Sequence, residues 1–177
     1  LEAEKKKHPG KEILPAGIFY YRIQDPFVKR EDSDQEVERS ILKELRLDGL
    51  VNGSEEVVSH LEHDLSGNSV LFPIGRNKDG SLSRTSRALP PEAFRTVLAY
   101  TRAKEKELKK EMYDGEVQAA PYELGGATGC DYCPCRDICG FDQRIEGYHF
   151  RKLEKYTLEE AVEKMKEYVE GGDGTWE

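Results

Sequence analysis

Apolar and polar positions alternate with two different periods along this chain, and the changes of period mark its elements. From Ile13 to Ile23 the run Ile13-Leu14-Pro15-Ala16-Gly17-Ile18-Phe19-Tyr20-Tyr21-Arg22-Ile23 is rich in aromatic and β-branched residues. Such a run predicts a central strand covered on both faces, and Asp25-Pro26 closes it with a turn. Before it, residues 1–12 read as a frayed helix end broken by His8-Pro9-Gly10. After it, the acidic linker Glu31-Asp32-Ser33-Asp34 leads to Val37, Ile41 and Leu45. These recur every fourth residue, as on one face of a helix, and Asp48-Gly49 supplies a stop. Ser54 is an N-cap for a further short helix with Val57, Val58 and Leu61 behind it. His60 and His63 fall there at i, i+3. With no cysteine nearby in sequence, they read as a solvated face rather than a ligand pair.

Val70-Leu71-Phe72-Pro73-Ile74, a turn at Asn77-Lys78-Asp79-Gly80, and Ser81-Leu82-Ser83 predict a hairpin. Pro90-Pro91-Glu92 opens the longest helix, with proline and an acid in its first turn. Phe94, Val97, Leu98, Thr101, Leu108 and Met112 form its apolar stripe, and Asp114-Gly115 ends it. Residues 116–129 read as a loop containing Pro121 and Gly125-Gly126. Thr157-Leu158-Glu159-Glu160 is a capping-box pattern. It starts a last helix with Ala161, Met165, Tyr168 and Val169 inward, ended by Gly171-Gly172 ahead of a loose terminus.

Composition narrows the class. Of 177 residues, 35% are charged and 37% hydrophobic, and the mean hydropathy is −0.75. No apolar run approaches the roughly 20 residues a membrane helix needs. Behind the charges of Leu1-Glu2-Ala3-Glu4-Lys5-Lys6-Lys7 lies no apolar segment, so a reducing, cytoplasmic location is expected. The chain begins with Leu in mid-pattern and reads as a piece of a longer protein. A net charge of −8 argues against a free-standing, non-specific nucleic-acid binder. It leaves room for a local basic groove within a larger assembly. Arg76, Lys78, Arg84 and Arg87 are the one basic region with little acid between, suited either to phosphates or to protecting a sheet edge.

All four cysteines lie within Cys130-Asp131-Tyr132-Cys133-Pro134-Cys135-Arg136-Asp137-Ile138-Cys139. In a tight turn, cysteines at i and i+3 can aim two thiolates at one metal, as zinc and iron–sulfur sites do. Three readings follow from C-x2-C-x-C-x3-C. One makes all four the thiolates of a single zinc ion, although Cys133 and Cys135 flank a proline. Another makes them thiols without a ligand role. In the third, Cys130, Cys133 and Cys139 form C-x2-C-x5-C for an iron–sulfur cluster, with Cys135 a bystander and a fourth ligand elsewhere in a longer protein.

The pattern Cys-Asp-Tyr-Cys-Pro-x-Arg-x-Ile-Cys-Gly-Phe-Asp resembles the C-terminal cysteine motif of AddB (RexB-like) subunits of bacterial AddAB helicase–nucleases. That family usually has an aromatic residue at the position of Cys135. The run Leu14-Pro15-Ala16-Gly17-Ile18-Phe19-Tyr20-Tyr21-Arg22-Ile23-Gln24-Asp25-Pro26 resembles the strand following the catalytic core of the same subunit. The helix before the cysteines and Lys78-Asp79-Gly80-Ser81 fit as well, so the resemblance covers roughly residues 13–142. A C-x2-C-x5-C motif alone also resembles Cas4-type and Dna2-type nucleases.

The resemblance implies an α/β fold: the distal portion of a PD-(D/E)XK (restriction-endonuclease-like) nuclease domain over residues 1–142. A C-terminal helical tail would follow over 143–177. It implies a 4Fe-4S cluster on Cys130, Cys133 and Cys139, its fourth ligand upstream, stapling the nuclease fold. For the parent protein it implies Mg2+-dependent exonuclease action on DNA ends in double-strand break repair, with an ATP-driven AddA-type partner subunit. The catalytic Asp and Glu-x-Lys have no credible copy here. Glu4-Lys5-Lys6 and Glu107-Leu108-Lys109 match by letter but lie in charge-rich helical stretches, so no catalytic residue is assigned and the fragment alone is expected to be inactive. The alternatives are a Cas4-like iron–sulfur exonuclease fragment and a non-catalytic zinc or iron–sulfur interaction module.

Overall fold

The extended run around Ile18 becomes β1 (Gly17–Tyr20), which pairs antiparallel with β2 (Asp48–Asn52). The computed structural model describes residues 2–23, 25–29 and 33–171. They fall into two compact units, Leu1–Arg95 and Thr96–Glu177.

In the first unit α1 (Glu2–Lys7) precedes β1, and α2 (Asp34–Glu44) and α3 (Glu55–Leu61) flank β2 in sequence. Ser33 caps α2 by accepting the Glu36 N–H, and its hydroxyl returns a bond to the Glu36 carboxylate at 2.8 Å. Ser54 caps α3 as the sequence predicts. β3 (Gly67–Asn68) pairs antiparallel with β4 (Gly75–Arg76), and β5 (Ala88–Leu89) joins β2 in parallel, giving a sheet ordered β1-β2-β5. Val51, Val58, Leu65 and Ile74 form its core, with Phe19, Leu61, Phe72, Leu82 and Ala88 packed around them.

Two expectations change here. Among the described residues β1 is an edge strand of four residues. Tyr20, Tyr21 and Ile23 are exposed rather than covered on both faces. Asp48-Gly49, expected as a helix stop, instead opens β2. A β-carbon on Gly49 would run into the Ile18 carbonyl oxygen, and φ there is +141°, so glycine alone lets the two strands approach. Asn52 is buried and fully used: Nδ2 donates to the Pro15 carbonyl at 3.0 Å and Oδ1 accepts the Ser54 N–H at 3.1 Å. The turn at 77–80 is present, but its flanking segments make only short pairings around Arg76 and Leu82.

The long helix α4 (Pro91–Tyr113) opens in the first unit and carries into the second. Phe94 and Val97 are buried, but Leu108 and Met112 are exposed, so the apolar stripe is covered only over its first half. The second unit also holds β6 (Tyr122–Leu124), β7 (Ala127–Thr128), β8 (Arg151–Leu153) and α5 (Leu158–Gly171). The sheet runs β7-β6-β8, with β6/β7 antiparallel and β6/β8 parallel. The segment expected as a loop thus contains a two-residue Gly125-Gly126 hairpin, both glycines at positive φ. The Thr157–Glu160 capping box forms in both directions, and Ala161, Met165, Tyr168 and Val169 are the half-buried side of α5, together with Val162. Tyr168 packs edge-on against Tyr100 at 5.2 Å and its hydroxyl donates to Glu107, which also receives Lys104 at 2.7 Å. Gln24, Glu31, Asp32 and Gly172 with the terminal residues after it lie outside the described residues.

Candidate metal centre

The β6–β7 hairpin delivers the chain to the cysteines, and its last residue fixes where they begin. Thr128 donates its N–H and hydroxyl to the Asp131 carboxylate at 2.9 and 2.6 Å, and its Oγ1 accepts the Cys130 N–H at 3.2 Å. The two bonds that Thr128 donates hold the Asp131 carboxyl below its usual range.

Within the loop the four thiols divide between two turns. Cys133 donates its N–H to the Cys130 carbonyl at 3.3 Å, closing an i, i+3 turn. Cys139 and Ile138 both donate to the Cys135 carbonyl, at 2.9 and 3.1 Å, closing one helical turn that Gly140 ends at φ +69°. All four cysteines are free thiols; Cys130 and Cys133 are half-buried, Cys135 and Cys139 exposed.

At its far end the loop is held by Phe141. Its N–H donates to Cys139 Sγ at 3.4 Å. Its ring packs against Tyr148 at 5.7 Å and Phe150 at 4.9 Å, and Phe150 immediately precedes β8. Next to it Asp142 receives the Arg144 guanidinium through both carboxylate oxygens, at 2.6 to 3.0 Å. This contact lowers the Asp142 carboxyl to about 2 and raises Arg144. The loop's two ends are therefore tied to strands of one sheet, β7 and β8.

Cys130, Cys133 and Cys139 thus share one loop. The donor set is soft and suits a thiophilic metal or iron–sulfur group, and the bond to Cys139 Sγ is the kind that tunes such thiolates. The turns alone do not converge the sulfurs: among the described residues no three His, Cys, Asp or Glu side chains are placed to hold a metal ion.

Other predicted chemistry disperses. His60 lies in α3 with Nδ1 2.7 Å from the Glu56 carbonyl, whereas His63 falls beyond the helix end beside Asp64. In the basic region, Arg76 grips Glu55 at 2.8 Å and the Gly80 carbonyl at 2.8 Å, and Arg87 holds Asp48 at 2.5 Å. Both are engaged in holding the fold. Of the Glu-x-Lys matches, Glu4 sits in α1 bound to Lys7, and Glu107 sits in α4 bound to Lys104. Thr128, Tyr148 and Phe150 support the loop without standing out in the sequence. Thr-x-x-Asp at 128–131 is a local capping pattern, the one signal that could have revealed the first of them.

Residues 1–140 match the family model of the PD-(D/E)XK nuclease superfamily, a span that includes all four cysteines. The chain belongs to the PD-(D/E)XK nuclease superfamily. Within it, the chain is similar to proteins named as the B-type subunit of ATP-dependent helicase/deoxyribonuclease. With that of Alkaliphilus metalliredigens it shares 36% identity over 167 residues, covering 94% of this chain and 14% of the relative. With that of Thermoanaerobacter sp. strain X514 it shares 36% over 176 residues, 98% of this chain and 15% of the relative. With that of Clostridioides difficile it shares 35% over 169 residues, 92% of this chain and 15% of the relative. The chain therefore spans 14–15% of the length of these curated relatives. Among the described residues, no helix of this superfamily member is long and apolar enough to cross a membrane.

Proposed function

We propose that this chain is the distal part of the nuclease domain of an AddB-type ATP-dependent helicase/deoxyribonuclease subunit, with Cys130, Cys133 and Cys139 as three ligands of a 4Fe-4S cluster. The observation that carries the reading is similarity running through 98% of the chain, including the cysteine loop. The soft donor set and the N–H bond onto Cys139 Sγ agree with it. The cluster's role is structural: it crosslinks this loop to a cysteine elsewhere in the parent protein, restricting the open chain. The parent degrades DNA ends with Mg2+, in the cytoplasm and together with an AddA-type helicase–nuclease subunit. The Asp and Glu-x-Lys that would hold the metal and activate water come from outside these 177 residues. Cys135 is not a ligand of the cluster in the parent.

Metal analysis of the parent protein, purified without oxygen, tests the proposal. Iron and acid-labile sulfide in equal amounts, about four of each per protein as a 4Fe-4S cluster requires, support it. Stoichiometric zinc without iron or sulfide overturns it in favour of a zinc interaction module.

A further inference from the structure

Two arginines from distant parts of the sequence line one cleft of the first unit. The cleft encloses about 280 Å3 between Arg46, Leu47, Asp48, Pro73, Thr85 and Arg87. Arg46 follows α2 and is tethered by the 72–74 segment: its Nε donates to the Phe72 carbonyl at 2.9 Å and its Nη2 to the Ile74 carbonyl at 3.4 Å. The same stretch holds the backbone on both sides, accepting the Leu47 N–H at Leu71 and the Arg87 N–H at Pro73, at 2.9 and 2.8 Å. Arg87 Nη1 in turn donates to Asp48 Oδ1 at 2.5 Å, and that oxygen also accepts the Gly49 N–H at 2.8 Å.

These bonds fix the two guanidiniums without exhausting them. Each carries five N–H donors in a planar fork, of which the bonds above use two on Arg46 and one on Arg87. The Arg46 partners are neutral carbonyls, so its charge is held in place and not cancelled. Asp48 is the one acid lining the cleft, leaving two positive charges against one negative. Arg87 and Asp48 are 59% and 64% exposed. A pair so open to water contributes little, and an incoming anion takes Arg87 over at small cost.

We infer that this cleft seats a phosphodiester of a DNA strand, with Arg46 and Arg87 donating to its charged oxygens beside the Thr85 hydroxyl. Guanidinium forks match phosphate geometry, and contacts of this kind position a strand without reading its sequence. Arg46, Thr85 and Arg87 are all exposed, so a strand lies across the cleft without entering it. Asp48 keeps Arg87 oriented while the cleft is empty and competes with the phosphate when it fills. The choice of DNA rests on the deoxyribonuclease reading of the parent; the choice of phosphate rests on the arginines alone.

The test is the binding of a labelled single-stranded oligodeoxynucleotide of mixed sequence to the full 177-residue chain, followed by fluorescence anisotropy in EDTA over a range of salt. Arg87→Gln should weaken binding at least about fivefold and flatten the log–log salt dependence by about 0.7, one phosphate contact on a single strand. Asp48→Asn keeps an acceptor for the Gly49 N–H and removes the competing charge, so it should tighten binding at least about threefold. This gain decides the matter even where Arg87→Gln proves misfolded by circular dichroism. Arg39→Gln makes the same charge change on α2, away from the cleft, and should cost less than about twofold. Equal losses from Arg39→Gln and Arg87→Gln would overturn the inference, because net charge alone would then explain them. So would unchanged or weaker binding by Asp48→Asn, or no binding of the oligodeoxynucleotide by the wild type. Inorganic phosphate is the second probe: a chain that binds it but not the oligodeoxynucleotide holds a small-anion site, which also overturns the inference. Neither iron nor DNA degradation by the parent enters these measurements, so their failure leaves the proposed function standing.

Discussion

Phe141 donates its backbone N–H to Cys139 Sγ at 3.4 Å while its ring is pinned by Tyr148 and Phe150. A sulfur that receives such a bond is oriented, and its charge when ionised is partly offset. That distinguishes Cys139 from Cys135, which follows a proline at the start of the same turn. If the parent protein carries the proposed cluster, it is brown, and Cys130→Ala, Cys133→Ala and Cys139→Ala should each abolish that visible absorbance. Cys135→Ala should leave it intact. Bleaching by the Cys135 change would reassign the ligands.

Asp142 supplies a pH signature for the same end of the loop. Its folded carboxyl lies at about 2 against an ordinary 3.8, because Arg144 stabilises the charged form. A lowered folded value means the contribution is complete above pH 3.8 and fades as pH falls toward 2. Arg144 is exposed and the pair is screened, so its effect on global stability should be small and should shrink with salt. Carbon-detected NMR titration should place the Asp142 midpoint near 2, and a midpoint near 3.8 would show that the pair does not form in solution.

Gly49→Ala should destabilise the chain by more than about 2 kcal/mol. The new methyl would collide with the Ile18 carbonyl oxygen, and neither backbone can withdraw without breaking the β1–β2 ladder. Urea unfolding followed by circular dichroism measures this directly. Wild-type stability in the variant would mean that the strands lie farther apart than this pairing requires.

Asn52→Ala should cost about 2 kcal/mol, since it strands the carbonyl of Pro15 and the N–H of Ser54. Asn52→Asp should be worse at neutral pH, because a carboxylate cannot donate to Pro15. The ordering of the two midpoints in urea is the check.

The elements legible in the sequence are those whose signals are local. The N-cap at Ser54 and the box at Thr157–Glu160 act within one turn. The apolar positions of α4 recur at helical spacing within Pro91–Tyr113. The clustered cysteines need no fold to be noticed. Elements that stay hidden depend on partners distant in sequence. β2 hides behind Asp48-Gly49 because that glycine answers the carbonyl of Ile18 on another strand rather than a local stop. β8, Arg151-Lys152-Leu153, is exposed throughout and carries no alternation, so only its pairing with β6 defines it. Gly125-Gly126 is the strongest cue among the hidden elements, because two adjacent glycines mark a hairpin turn as readily as a flexible loop. Leu108 and Met112 keep the helical period but remain exposed, since periodicity reports which face is apolar and not whether anything covers it.

The parallel pairing of Tyr122–Leu124 with Arg151–Leu153 encloses the entire cysteine loop between its two strands. Forming that pairing means closing a long, Gly-punctuated excursion before any ladder bond repays the lost chain entropy. An ion or cluster captured first would shorten the excursion, making strand docking faster and less dependent on chance encounter. Order of assembly, and not only final stability, would then depend on whether the thiols are loaded before Arg151–Leu153 docks on Tyr122–Leu124.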